Sequence, residues 1–193
     1  TNTTVLSYML CLEKDNMAPA TIHRKLSSLR SYYRYLLLNH LIETDPTNKL
    51  NMPKNKRKIP KTLNIEETNR LLSQPQGDDY KSIRDKAMLE LLYATGIRVS
   101  ELISLNLDDI NTEVGWVKCG QAHRERVIPI APEVRMHIKR YLKKARSELV
   151  KDNKENAFFV NTHGKRMSRQ GFWKIIKQYK DKAQIDKEIT PYT

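Results

Sequence analysis

The chain has 193 residues, 39% of them hydrophobic and 30% charged, which suits a globular protein of one or two domains with room for a sizeable core. The balance of charge is unusual: 35 Lys and Arg against 22 Asp and Glu leave +13, an excess that suits a polyanion, either nucleic acid or an anionic membrane surface. No long apolar run or signal peptide occurs, Cys11 and Cys119 are far apart, and HExxH and GxxxxGK[ST] are missing, so membrane insertion, secretion, a zinc or disulfide framework and ATP use lack support and a reducing, cytoplasmic setting is expected.

Residues 2–41 read as helical. Val5, Met9 and Leu12 fall on one helical face, and APATIHRKLSSLRSYYRYLLL (18–38) predicts a longer helix with Pro19 in its first turn. Its apolar stripe is Ile22, Leu26, Leu29, Tyr33 and Leu36/Leu37. Arg24, Lys25, Arg30 and Arg34 decorate the same helix; taken alone they read as a solvated face. TDPTNKLNMPKNKRKIPKTL (44–63) holds three prolines and the cluster Lys54, Lys56, Arg57 and Lys58. Proline fixes φ and removes a donor, so this stretch predicts an extended basic linker. The expected organisation is a helical module over 1–50, a linker over 51–62 and a larger module over 63–193. Up to residue 62 there are eleven basic residues against four acidic ones, so a third of the chain carries over half the excess charge. That distribution would let two modules close around a duplex from both sides.

In the larger module, NIEETNRLLS starts a helix with Asn64 as its cap and glutamates in the first turn. DYKSIRDKAMLELLYATG predicts a second, with Ile83, Ala87, Met88 and Leu91 inward and Gly96 as its stop. A short helix from Arg98 follows. GWVKC and RVIPI read as the arms of a β-hairpin turning over 120–124. PEVRMHIKRYLKKARSEL is a long helix, AFFV a short buried strand, and SRQGFWKIIKQYKDKAQ a last helix. The predicted class is mainly α with a small antiparallel β-sheet.

The stop at Thr95-Gly96 matters for chemistry. It lets the chain turn sharply and present Arg98 at the start of the next helix, where N–H groups favour anions and a guanidinium offers planar, two-pronged donation to phosphate. Glu101, three residues on, is placed to hold that guanidinium, while Leu102 and Leu105 anchor the helix. Read alone, R-x-x-E is an ordinary (i, i+3) ion pair worth roughly 0.2–0.5 kcal/mol.

The longer strings resolve this. ATGIRVSELISLNLDDIN (94–111), RERVIPI (124–130), FFVNTHGKRMSRQGFWKIIK (158–177) and ITPYT (189–193) resemble, in order, the conserved boxes of Xer-type tyrosine recombinases of the phage-integrase family. LEKDNMAPATIHRKLSSLRSYYRYL resembles that family's helical, SAM-like core-binding domain, which clamps DNA. The likeness runs over nearly the whole chain. It implies site-specific exchange of double-stranded DNA through a 3′-phosphotyrosyl intermediate, without metal, ATP or other cofactor, by a homo- or hetero-tetramer on two DNA sites. Positive donors around the non-bridging oxygens serve that chemistry. Arg98 matches the family's first catalytic arginine and Glu101 the acidic residue beside it. The DNA-binding residues implied are Arg24, Lys25, Arg30, Arg34, Lys54, Lys56, Arg57, Lys58, Arg124, Arg126 and Arg169.

The sequence departs from the family in three places. KCGQAHRERV replaces the lysine-bearing hairpin, and counting back from Arg126 puts Gln121, which cannot protonate a leaving oxygen, at the lysine position; Lys118 is the nearest substitute. Tyr192 stands where the family's histidine is usual, and a phenol can still donate one hydrogen bond. The second arginine and the nucleophilic tyrosine would fall beyond Thr193, so the chain is expected to be cut short at its C-terminus. Three other readings stay open: a non-catalytic DNA binder of this fold, a type IB topoisomerase, and a helix-turn-helix regulator over 83–105, whose second helix is too apolar for a reading face.

Overall fold

The computed structural model describes residues 1–48, 50, 62–120, 124–151, 154–190 and 193. The chain forms two compact units, Thr1–Ile59 and Pro60–Thr193.

The first unit holds α1 (Asn2–Lys14) and α2 (Pro19–Leu38). The Thr1 hydroxyl accepts the Thr4 N–H and caps α1, while Pro19 opens α2 where its missing donor costs nothing. Val5, Leu12, Ile22, Leu26 and Leu50 form a small core, with Leu29 and Tyr33 packed against it. The predicted stripe of α2 is therefore buried only over its first part, and Leu37 and Leu38 are exposed. The expectation of an extended chain from residue 44 is corrected. Thr47 is fully buried, and its N–H and hydroxyl both donate to Asp45 Oδ1 at 2.7 Å. That local turn folds the chain back and brings Leu50 into the core. Arg30 then donates to the Leu50 carbonyl at 3.2 Å. Lys54, Lys56, Arg57 and Lys58 lie outside the described residues.

The second unit is built from α3 (Ile65–Leu72), α4 (Tyr80–Thr95), α5 (Val99–Ser104), strands β1 (Ile110–Asn111), β2 (Trp116–Cys119) and β3 (Arg126–Pro129), then α6 (Pro132–Arg140), α7 (Ser147–Leu149) and α8 (Arg169–Lys182). Asn64 and Glu67 exchange side-chain-to-backbone hydrogen bonds of 2.8 Å, the capping box that starts α3. Asp79 caps α4 by accepting the Lys81 and Ser82 N–H groups, and Ser168 caps α8 by accepting that of Gly171. Residues Tyr141–Arg146 join α6 to α7 through wider, π-type turns, so the expected long helix is continuous but not uniform.

The sheet is antiparallel in the order β1-β2-β3. β1 escaped the sequence reading because two residues carry no alternation. AFFV also differs from expectation: it is not a strand but a crossing segment, bridged at Ala157 to Asn106 and at Val160 to Arg166. Its residues are buried too deeply for alternation, and their polar groups are met from several sides. Tyr141 Oη donates to the Phe158 carbonyl and Arg146 to those of Glu155 and Ala157. Tyr141 stacks on Phe159, and Phe158 meets Phe159 edge-on, in the same core as Met88, Leu91 and Leu102.

One ion pair is buried with this core. Arg84 and Asp85 meet at 2.7 Å, and Tyr179 Oη donates to the other carboxylate oxygen at 3.1 Å. Burial pushes the Asp85 carboxyl above its ordinary range, against the pull of Arg84 and Tyr179. This network joins α4 to α8.

Candidate active site

Gly96 ends α4 in the left-handed conformation, φ 61° and ψ 20°, with its N–H donating to Leu92 at 2.9 Å. No atom lies within 4 Å of where a Cβ would sit, so glycine is needed for its backbone freedom and not for space. Gly96→Ala is expected to cost about 1–2 kcal/mol of unfolding free energy, read from urea denaturation. An unchanged midpoint would show that the turn holds no strain.

After the turn, Ile97 is buried and pins the chain, and extended Arg98 caps α5. The Arg98 N–H donates to Glu101 Oε2 at 2.7 Å, while Arg98 Nη1 lies 3.5 Å from Glu101 Oε1. The backbone of Arg98 is thus held firmly and its guanidinium loosely. That side chain is 68% exposed, available to an anion, whereas Glu101 is only 12% exposed.

The hairpin supplies the second half of the site. Cys119 pairs with Arg126 and Lys118 with Val127 across β2 and β3. Directly paired residues share a face of the sheet. Cys119 is buried, so Arg126 extends from the core-facing side toward α5. Its Nη1 and Nη2 donate to Glu101 Oε1 and Oε2 at 2.7 and 3.0 Å. The Arg126 hydrogen bonds, then those from the Arg98 backbone, hold the Glu101 carboxyl down to about 2 against the opposing effect of burial. Glu101 is therefore charged at neutral pH and acts only as an acceptor.

Arg98, Ser100, Glu101, Ser104, Gly120, Arg124 and Arg126 line a cleft of about 270 Å³. Beside the Arg126–Glu101 pair, the exposed Arg98 and Arg124 bring two further guanidiniums to the cleft, which suits a phosphate. Gly120, at φ 112°, stands against the Arg124 carbonyl, where any Cβ would collide.

Lys118 is not brought into this cleft. It projects from the other face of β2, 2.8 Å from Glu125 Oε2, whose hydrogen bond raises the ammonium's pKa. With Asp109 and Glu125 it lines a neighbouring cleft. Gln121 and Tyr192 lie outside the described residues. Arg24, Arg34, Arg124 and Arg169 are exposed, and Lys25 and Arg30 are half-buried. Among the described residues no tyrosine lines the Arg98 cleft. Tyr141 and Tyr179 are buried with their hydroxyls engaged; desolvation pushes Tyr141 up to about 12 and Tyr179 higher. No described cluster of three or more His, Cys, Asp or Glu could hold a metal ion.

Sequence reasoning missed two supporting arginines. The sequence reading makes Arg126 only a DNA contact, because RVIPI carries no alternation that would show its inward direction. Arg166 donates to the Ile103 and Leu105 carbonyls, both at 2.9 Å, and to Asn106 Oδ1 at 2.6 Å, closing the C-terminal end of α5. Nothing in the sequence near either partner announces that contact.

Residues 61–193 match the model of the phage integrase family. The chain is 45% identical over its whole length to the tyrosine recombinase XerD of Halalkalibacterium halodurans, covering 65% of that protein. It is 42% identical over 99% of its length to the tyrosine recombinase XerD of Oceanobacillus iheyensis, again covering 65%. Among solved structures, the Tn1549 transposon integrase in complex with circular intermediate DNA superposes with a TM-score of 0.72 at 18% identity, over 96% of this chain and 67% of that one. The XerH recombinase bound to palindromic difH substrate, a post-cleavage complex, gives 0.75 at 17% identity, over 99% and 58%. These two likenesses show the fold. The chain spans 65% of the length of each of the two XerD recombinases.

Proposed function

Because the chain belongs to the phage integrase family, we propose that it forms the core of a site-specific recombinase that cuts and rejoins duplex DNA. The observation that carries this reading is the cleft in which Arg98 is presented by a helix stop and backed by Glu101. A tyrosine oxygen attacks the scissile phosphorus and the bond to the 5′ oxygen breaks. The phenol gives up its proton, and the products are a 3′-phosphotyrosyl ester and a 5′ oxygen that takes up a proton to become a hydroxyl. The phosphodiester energy is kept in the new ester, so rejoining needs no ATP. Arg98 donates to the non-bridging oxygens, Glu101 fixes its backbone, and Arg124 adds charge at the cleft wall. By position in the sequence, Gln121 stands where the family's lysine is usual and Tyr192 where its histidine is; both lie outside the described residues. Lys118, as the possible substitute acid, would first have to leave Glu125.

Residues 1–50 act as the DNA clamp, 51–62 as a basic connection, and 63–193 as the catalytic part. Arg24, Lys25, Arg34, Arg169 and the 54–58 cluster meet phosphates. The working assembly is a tetramer on two DNA sites in the cytoplasm. Among the described residues no helix is long and apolar enough to cross a membrane.

None of the described tyrosines lines the cleft, so none of them is placed to be the nucleophile. A nicked suicide substrate, followed by a denaturing gel, tests this with residues 1–193 and with a protein of the relatives' length. The longer protein is expected to give a covalent adduct and residues 1–193 none. An adduct from residues 1–193 would place the nucleophile among its own tyrosines. No adduct from either would overturn the recombinase reading.

A further inference from the structure

We infer that Arg126 is a positioning residue and not a DNA contact: its two-pronged grip on Glu101 ties the β2–β3 hairpin to α5 and fixes the carboxylate against which Arg98 is set. The inference rests on the reading that Arg98 faces the scissile phosphate.

Three features carry it. First, the fork is parallel and short, 2.7 and 3.0 Å, the geometry in which guanidinium and carboxylate bind most strongly. Second, both Glu101 oxygens are used: each accepts one Arg126 N–H, and Oε2 also accepts the Arg98 N–H. Drawing Arg126 away to a phosphate would leave a 12%-exposed carboxylate without its main partner. Third, the sheet register dictates the direction. Arg126 shares the face of buried Cys119, whereas Arg124, two residues before it, lies beyond the paired strand and is exposed in the cleft.

The charged groups around Glu101 are few. Arg98 meets it from its own helix and Arg126 from β3; the Cys119 thiol on β2 is pushed up by burial and stays neutral. Removing Arg126 therefore leaves Arg98 alone to hold the carboxylate. The predicted consequence is a Glu101 that wanders and an Arg98 backbone no longer fixed by it. A hairpin displaced by DNA or by a neighbouring subunit would act on Arg98 through this link.

The test uses residues 1–193 with ¹³C-labelled glutamate and ¹⁵N-labelled backbone. In the parent protein the Glu101 carboxyl should titrate near 2, and the Arg98 amide proton should follow it. Arg126→Gln should move both midpoints up toward the ordinary glutamate value of about 4.3. Arg126→Lys should restore only part of the shift, because an ammonium lacks the fork. The salt dependence of duplex-DNA affinity should keep its slope in both variants. A slope lowered by about 1, with the Glu101 midpoint unmoved, would overturn the proposal and make Arg126 a phosphate contact. If Arg126→Gln does not fold, the lysine variant decides by the same readouts. Failure of the parent to bind DNA would strike the recombinase reading, whereas the Glu101 and Arg98 signals judge the positioning role without DNA.

Discussion

Affinity for duplex DNA is expected to fall roughly 10³–10⁵-fold between about 50 and 200 mM salt, the loss for about six to ten phosphate contacts. The net charge of +13 sets the sign of this effect, and its concentration before residue 63 sets the place. Counterions released from the phosphates, more than any base contact, would supply the binding free energy. Replacing Lys54, Lys56, Arg57 and Lys58 together with alanine should flatten the slope of log affinity against log salt. Each lost contact lowers that slope by about 0.9. Arg30 makes a weaker case than Arg24 or Arg34, because its guanidinium already donates to the Leu50 carbonyl of the helical unit. Fluorescence anisotropy across a salt series reads all of this. A slope unchanged by the fourfold replacement would remove the linker from the interface.

Arg98→Ala, in a protein of the relatives' length, is expected to lower the rate of strand cleavage on the order of 10²–10³-fold. That is the usual cost of one lost transition-state donor. Fold and DNA affinity should be nearly untouched, since the side chain is 68% exposed and only loosely tied to Glu101 at 3.5 Å. A residue held so lightly contributes little to stability, because exposed helical ion pairs are worth only about 0.2–0.5 kcal/mol. Arg98→Lys should also be impaired, for an ammonium cannot give two parallel hydrogen bonds to one phosphate. Single-turnover cleavage of a suicide substrate separates these effects from binding. Cleavage by the alanine variant at the parent rate would reduce Arg98 to a surface ion pair.

What could be read along the chain was local. The Gly96 stop, the Asn64 cap, the inward face of α4 and the arms of the hairpin each depend on residues within a few positions of one another, and all four stand in the structure. Arg98 and Glu101 were legible for the same reason: they sit three apart, and their spacing alone brings them together. The fold class followed from periodicity, helical almost throughout, with β-rich arms around one turn.

The rest of the site depends on distance along the chain. Arg126 reaches Glu101 across 25 residues, and Arg166 reaches Ile103 and Leu105 across 63 and 61. No spacing rule connects such pairs. The contact exists only once β3 has paired with β2 and turned one face to the core. Thr47 is the same lesson in reverse: prolines on either side suggested an extended chain, but one aspartate two residues before it could satisfy both of its donors. Which way Lys118 faces was likewise undecided until the register was set, because shifting a strand by one residue moves every side chain to the opposite face. The sequence by itself determined where Arg98 stands in the chain and what stops the helix before it. Only the tertiary structure decided what holds the carboxylate beside Arg98, because the arginine that grips it comes from a strand whose direction is set by pairing, and pairing is a property of two segments at once.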